Sequence, residues 1–163
     1  MRLFEITRIP DYSKERDWKN FTPYWGNEDY TVHDQKGPME VRIYENQGMI
    51  RIVGLINKQI MSYLTLMRWN EYYYRVQSIQ VASEFRGKGV APYFYNIAIS
   101  DLGLTIISDD VQTRGGQGIW KKLMNNPKFH VDTVDLSTNK PVDMSTVYTN
   151  GPDNSLALRA RAA

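Results

Sequence analysis

Between Met39 and Val81 the sequence repeats one arrangement, and that repetition restricts the fold more than any other feature. Four runs, MEVRIYE, MIRIVGLI, IMSYLTLM and YYYRVQSIQV, are rich in β-branched and aromatic residues. NQG, NKQ and RWNE separate them. Runs of this kind, joined by short turns that carry Asn or Gly, are antiparallel hairpins in series. The spacing predicts a meander of up to four consecutive strands ending at Val81.

The pattern changes after Val81. ASEFRGKG reads as a loop and VAPYFYNIAIS as a helix, with Val90, Phe94, Ile97 and Ala98 on one face. Pro92 falls in its first turn, where a missing N–H is not needed, and Gly103 is a stop signal. LGLTIIS suits a short strand buried on both faces. QTRGGQGIWKKLMNN reads as a loop entering a second helix, with Ile119, Leu123 and Met124 facing inward. KFHVDTVDL is a further strand. PVDMSTVYT is strand or loop, and SLALRARAA is strand, short helix or frayed end. Before the meander, MRLFEI reads as a strand and SKERDWKNF as a short helix capped by Ser13, without a capping box because Arg16 stands where Glu or Gln is wanted. TPYWGNEDYTVHDQKGP reads as a loop whose rings, Tyr24, Trp25 and Tyr30, pack over the core or line a pocket. Strands followed by alternating elements indicate an α/β or α+β sheet with helices on both faces. No internal repeat or long linker divides the 163 residues, so one domain is expected, with its core at about 39–135.

Composition removes several functions. There are no cysteines, which excludes disulfides, thiolate metal sites and a cysteine nucleophile. Two histidines, His33 and His130, are too few and too far apart in sequence to suggest a metal site, for which three or four ligands are usual; no metal is expected. Twenty basic and eighteen acidic residues are interleaved, for a net charge of +2. That balance leaves no electrostatic footprint for nucleic acid or an anionic membrane. No run approaches the ~20 apolar residues of a membrane span, and the first ten residues lack a secretory signal pattern. A cytoplasmic protein is expected.

The segment QSIQVASEFRGKGVAPYF is where chemistry enters. A strand gives way to a turn with two glycines, then to a helix. The first N–H groups of a helix lack partners and lie at the positive end of its dipole, so an anion is favoured there. Arg86 and Lys88 add charge suited to a pyrophosphate. A P-loop would need Gly at position 82 and Ser or Thr at 89, where the chain has Ala82 and Gly89. A dinucleotide fingerprint fails at Pro92, the place of its third glycine, and would require parallel strands rather than a meander.

What fits is Arg/Gln-x-x-Gly-x-Gly/Ala, met by Arg86, Gly89 and Ala91. Set between the strand holding Ile79 and Val81 and an amphipathic helix, RGKGVA resembles the cofactor motif of the GNAT superfamily of acyl-CoA-dependent N-acyltransferases. The resemblance covers about 50–103 and continues more faintly to 135. The whole chain is also loosely similar to uncharacterised acyltransferase-like proteins of bacteriophages. The resemblance implies a GNAT-like mixed, mainly antiparallel central sheet. It implies acetyl-CoA, or another acyl-CoA, as cosubstrate, and direct transfer to an amine in a ternary complex. By the same resemblance the backbone of Arg86, Gly87, Lys88, Gly89, Val90 and Ala91 would hold the pyrophosphate. The strand end at Ile79–Ala82 would pair with the pantetheine arm, with a backbone N–H near Val81 at the thioester oxygen.

Side chains match the family less well. Its tyrosine proton donor falls on Trp120, which cannot serve as an acid, and Thr113 replaces a frequent Asn. A general acid contributes about a hundred- to ten-thousand-fold. A thiolate with a parent pKa of roughly 8.5 leaves fairly well without one. Candidate bases are Glu71, Glu84, Asp109 and Asp110, with Ser108 as a relay through water. Asp109 and Asp110 follow the buried strand, and strand C-terminal ends border ligand crevices. Adjacent strand residues point opposite ways, so one of the two is expected to face the site. Thr113–Gly118, a second glycine-rich stretch, would contact the cofactor, flex over the acceptor or be a mobile surface turn. The rival reading is a non-catalytic module of the same fold that binds a CoA-type ligand or a protein partner. A nucleic-acid role would show as heparin retention at physiological salt. The acceptor, a small amine or a protein, is not specified, and a strand-like tail could complete or exchange a sheet in a homodimer.

Overall fold

The computed structural model describes residues 29–108, 114–143 and 156–163. The expected strand at 1–6, the helix at 13–21 and the rings of Tyr24 and Trp25 lie outside these residues, as do Asp109, Asp110 and Thr113. The order of elements is β1 (Thr31–Lys36), β2 (Met39–Asn46), β3 (Met49–Ile56), β4 (Gln59–Arg68), β5 (Tyr74–Val81), a 3-10 turn (Ser83–Phe85), and α1 (Val90–Asn96) running into a π turn (Ile97–Asp101). Then come β6 (Ile106–Ile107), α2 (Arg114–Met124), β7 (Phe129–Asp135), β8 (Lys140–Val142) and β9 (Leu156–Ala162). The strands bond in the order β1-β2-β3-β4-β5-β6-β9-β7-β8. The result is a mixed, mainly antiparallel sheet with few helices, the class that the order of sequence signals implies. None of the described helices is long and apolar enough to cross a membrane.

The described residues group into two compact units. One takes residues 29–68 and Val76–Phe94; the other takes Trp69–Arg75 and the described residues from Tyr95 onward. In the first, the expected hairpins form with tight connections. Gln47 and Gly48 have φ of 48° and 79°, and Asn57 and Lys58 have 51° and 64°. Two successive positive φ values give the type I′ turn, whose twist matches that of the strands it joins. Tyr44, Val53, Leu55, Met61, Tyr63 and Ala82 form a buried cluster there.

The same unit holds a strand that the sequence hides. Residues 31–36 read as loop because TVHDQK is polar and lacks an apolar alternation. They form β1, which pairs with β2 from Thr31↔Ile43 to Lys36↔Met39. Five of its six side chains are exposed. An edge strand of this kind is held by its backbone bonds and its two-residue turn, so no hydrophobic period is needed. Tyr30, just before it, packs on Tyr44 with ring centroids 5.4 Å apart, and the Arg42 guanidinium lies 4.1 Å from its ring centroid.

In the second unit, β6 is shorter than LGLTIIS suggested, though Ile106 and Ile107 are fully buried as expected. The glycines of TRGGQG are not a loop: the helix already begins at Arg114 and runs through them. Leu123 is buried as expected, while Ile119 and Met124 are half-buried. The tail resolves as β9, lodged between β6 and β7 with seven residue pairs to β7, from Phe129↔Ala162 to Asp135↔Leu156. Arg159 sits among its buried residues. Its guanidinium donates to both carboxylate oxygens of Asp132, at 2.8 and 2.5 Å, and to the Tyr73 hydroxyl at 3.2 Å. Bonding to Asp132 raises the pKa of Arg159 and keeps it charged. Tyr73, Ile107, Val134 and Ala157 form the apolar cluster of this unit.

Candidate functional site

The loop between β5 and α1 lies wholly in the first unit and is built from backbone first. Ala82 closes the strand by donating its N–H to the Met61 carbonyl at 2.8 Å. The chain makes a single 3-10 turn over Ser83–Phe85 and re-extends at Arg86, with φ −68° and ψ 149°. It then takes φ of 73° at Gly87 and 80° at Gly89. Side chains are costly there, and glycine is not. A Cβ added at either glycine would meet nothing within 4 Å, so both face open space.

The helix opens with Tyr93 N–H donating to Gly89 C=O at 3.1 Å, and the last bond before it is Arg86 N–H to Ser83 C=O at 3.4 Å. Between these two, the N–H groups of Gly87, Lys88, Gly89, Val90 and Ala91 have no backbone acceptor among the described residues. No acidic side chain stands in the first turn of α1. Gly87, Lys88 and Gly89 are exposed, and Arg86 is half-buried. Amide donors, two cations and two open glycines together suit a multiply charged anion.

Arg86 also makes a contact with the strand end. Its Nε donates to the Val81 carbonyl at 3.1 Å, which ties the start of the loop to the end of β5. The ammonium of Lys88 lies 5.6 Å from the Phe85 ring centroid, across the 3-10 turn. Ile79 and Val81 are half-buried near the strand end. Among the described residues, the parallel ladder of β5 with β6 consists of Tyr74↔Ile106 and Arg75↔Ile107.

Of the candidate proton-handling residues, Glu71, Glu84 and Ser108 are among the described residues. Glu84 is exposed on the 3-10 turn, and Glu71 is exposed in the β4–β5 connection. Ser108 is only 1% exposed and is engaged with β9: its N–H donates to Leu158 C=O at 2.9 Å, and its hydroxyl oxygen accepts from Leu158 N–H at 3.0 Å. Trp120 is 1% exposed, a core residue packed edge-on to Tyr95 at 6.1 Å. Among the described residues, no group of three or more His, Cys, Asp or Glu is placed to hold a metal.

In fold the chain is similar to solved acetyltransferases of the GNAT family. A protein assigned to that family from Bacteroides thetaiotaomicron aligns with 72% of this chain at 13% identity and a TM-score of 0.41. One from Staphylococcus aureus MU50 aligns with 71% at 12% identity and a TM-score of 0.44. One from Elizabethkingia anophelis, solved with acetyl-CoA bound, aligns with 71% at 13% identity and a TM-score of 0.42. The chain spans 63%, 68% and 77% of their respective lengths. No family model matches the sequence, and no curated protein does.

Sequence reasoning missed the residues that brace this loop from outside it. Tyr93, on the first turn of α1, donates its hydroxyl proton to the Asp34 carboxylate of β1. The ammonium of Lys36 lies 4.0 Å from the Tyr93 ring centroid. That hydrogen bond, with a second from Gln35 N–H, holds Asp34 below the usual carboxylate range. No local signal announces the contact, because it joins a strand and a helix that are distant in sequence.

Proposed function

We propose that the chain is an N-acyltransferase that uses acetyl-CoA, or another acyl-CoA, and transfers the acyl group directly to an amine in a ternary complex. One observation carries the reading. Among the described residues, Arg86–Ala91 offers five backbone N–H groups, those of Gly87 to Ala91, without backbone acceptors, beside two glycines with positive φ and open space where their side chains would be. A pyrophosphate fits that donor set, which combines amides with the charges of Arg86 and Lys88.

When bound, acetyl-CoA supplies an activated acyl group on a thiol of parent pKa roughly 8.5. The chain's own residues would do the rest. The amides of Gly87 to Ala91, with the Arg86 side chain beside them, hold the pyrophosphate, and the half-buried edge of Ile79 to Val81 orients the pantetheine arm. A backbone N–H near Val81 faces the carbonyl oxygen on which charge develops; removing one such donor costs about 10²–10³ in rate. Proton removal from the amine falls to Glu84, Asp109 or Asp110, or to Ser108 through water. Ser108 already accepts from Leu158, so it would relay through its remaining lone pair and its own proton. The acceptor is an amine on a small molecule or a protein.

Trp120 favours a second reading, a module of the same fold that binds a CoA-type ligand without turnover. An indole in the core, packed on Tyr95, cannot protonate a leaving thiolate. Calorimetric titration of acetyl-CoA and free CoA tests the shared part, and thiol release with a panel of amines separates the two readings. Micromolar binding with thiol release supports the enzyme, and binding without release supports the module. No binding at millimolar ligand would refute both.

A further inference from the structure

The contacts around Tyr93 assign a role to β1, resting on the reading of Arg86–Ala91 as the coenzyme loop. Three features converge on one side chain. β1 carries a bulge between Val32 and Asp34, where the register to β2 shifts so that Asp34 faces Val41. A bulge re-aims the side chains that follow it. Asp34 and Lys36, two apart on the strand, share a side. Both meet Tyr93: the carboxylate accepts its phenolic proton, and the ammonium stacks over its ring at 4.0 Å.

The carboxylate is itself set in place. One oxygen accepts Gln35 N–H at 2.8 Å, leaving the other for Tyr93. The backbone N–H of Tyr93 in turn donates to Gly89 C=O, the first bond of the helix. A continuous chain of contacts thus runs from β1 through Tyr93 to the second glycine of the loop, all inside one compact unit. Asp34 and Lys36 are exposed, so these contacts bury little surface. Their effect falls on orientation more than on core stability.

We propose that Asp34, Lys36 and Tyr93 are positioning residues: β1 acts as a strut that holds Gly89 and the first turn of α1 in the conformation that receives the coenzyme pyrophosphate. Without the strut the loop samples other conformations. Apparent affinity then falls by the fraction of molecules that remain competent.

Two measurements on the full chain test this. Hydrogen exchange of the Tyr93 amide reports the strut without ligand, and calorimetry with free CoA reports its consequence. Tyr93→Phe keeps the ring and removes the hydroxyl. It is expected to speed exchange at Tyr93 and to weaken CoA binding about five- to tenfold. Asp34→Asn should act similarly, and the double variant should be no worse than either single one, because all remove one bond. Lys36→Met, which removes only the cation, should weaken binding about two- to fivefold. A purely structural contact would lower Tm and leave the Kd of the folded protein unchanged, and that result would overturn the proposal. Unchanged exchange in Tyr93→Phe would overturn it as well. Failure of the wild-type chain to bind CoA, with exchange still responding, would refute the coenzyme reading and leave the strut as a device of the fold.

Discussion

Gly89 allows charge and shape to be separated at the proposed anion site. Its φ of 80° would cost most L-residues about 1–2 kcal/mol. Asn and Asp tolerate that region best, and they have nearly the same size. A Cβ there meets nothing within 4 Å, so neither side chain clashes with the protein. Gly89→Asn and Gly89→Asp should therefore lose similar stability, about 1 kcal/mol, or about 2–4 °C in Tm for a chain of this size. They differ by one negative charge at the mouth of the loop. A carboxylate about 5 Å from a phosphate, at an effective dielectric between 80 and 20, is repelled by about 1–3 kcal/mol. That is roughly a five- to two-hundredfold loss of affinity beyond that of the Asn variant. Calorimetry with free CoA at about 0.1 M and 1 M salt reads it, and the gap between variants should narrow at high salt, where the Debye length falls from ~10 to ~3 Å. If both variants fold and bind CoA as the wild type does, the loop does not hold the pyrophosphate. If Asn and Asp weaken binding equally at both salt concentrations, the electrostatic account is wrong.

Gly54→Ala should destabilise the meander by about 1–2 kcal/mol, because its Cβ would lie 2.5 Å from the Met39 sulfur and closer still to the buried Ser62 hydroxyl; denaturant unfolding checks this, and a neutral result would mean that both side chains can rotate away. Asp132→Asn leaves the 9%-exposed Arg159 without its carboxylate, and urea denaturation should show a loss of about 2–3 kcal/mol. Asp34 is depressed by its bonds to Tyr93 and Gln35, so the unfolded chain takes up that proton first as pH falls. Its contribution is therefore full above the usual carboxylate range and declines as pH drops through and below it. Thermal unfolding of Asp34→Asn between about pH 6 and 3 should show a flatter dependence than the wild type.

The parts of the fold that were legible in sequence are those whose signal is local. The hairpins from β2 to β4 declare themselves through β-branched runs and turns such as Gln47-Gly48. Of the periodic positions Val90, Phe94, Ile97 and Ala98, in the first helix and the π turn that continues it, the last three are fully buried and Val90 is half-buried. The glycine loop was legible because positive φ at Gly87 and Gly89 is a demand that the sequence must meet at those positions. β1 was not, since TVHDQK depends on pairing with β2 rather than on burial. The tail was ambiguous because Arg159 looks solvent-facing until Asp132 of β7 and Tyr73, just before β5, supply its partners. Candidate bases were only residue types: nothing near Ser108 in sequence says that its hydroxyl will accept from Leu158.

The position of β9 also bears on how the chain is made. It follows both of its neighbours in sequence, and Ser108 meets Leu158 across a separation of fifty residues. On the ribosome, β6 and β7 are synthesised well before the strand that joins them, and at roughly 5–20 residues per second both edges stay open meanwhile. Such edges invite pairing with other chains. The meander can close hairpin by hairpin as it emerges, whereas the second unit must wait. Its loop-closure entropy is offset only at the end, when Arg159 arrives to meet Asp132. Nascent-chain aggregation, where it occurs, should therefore begin in the second half of the protein and cease once residues 156–162 have docked.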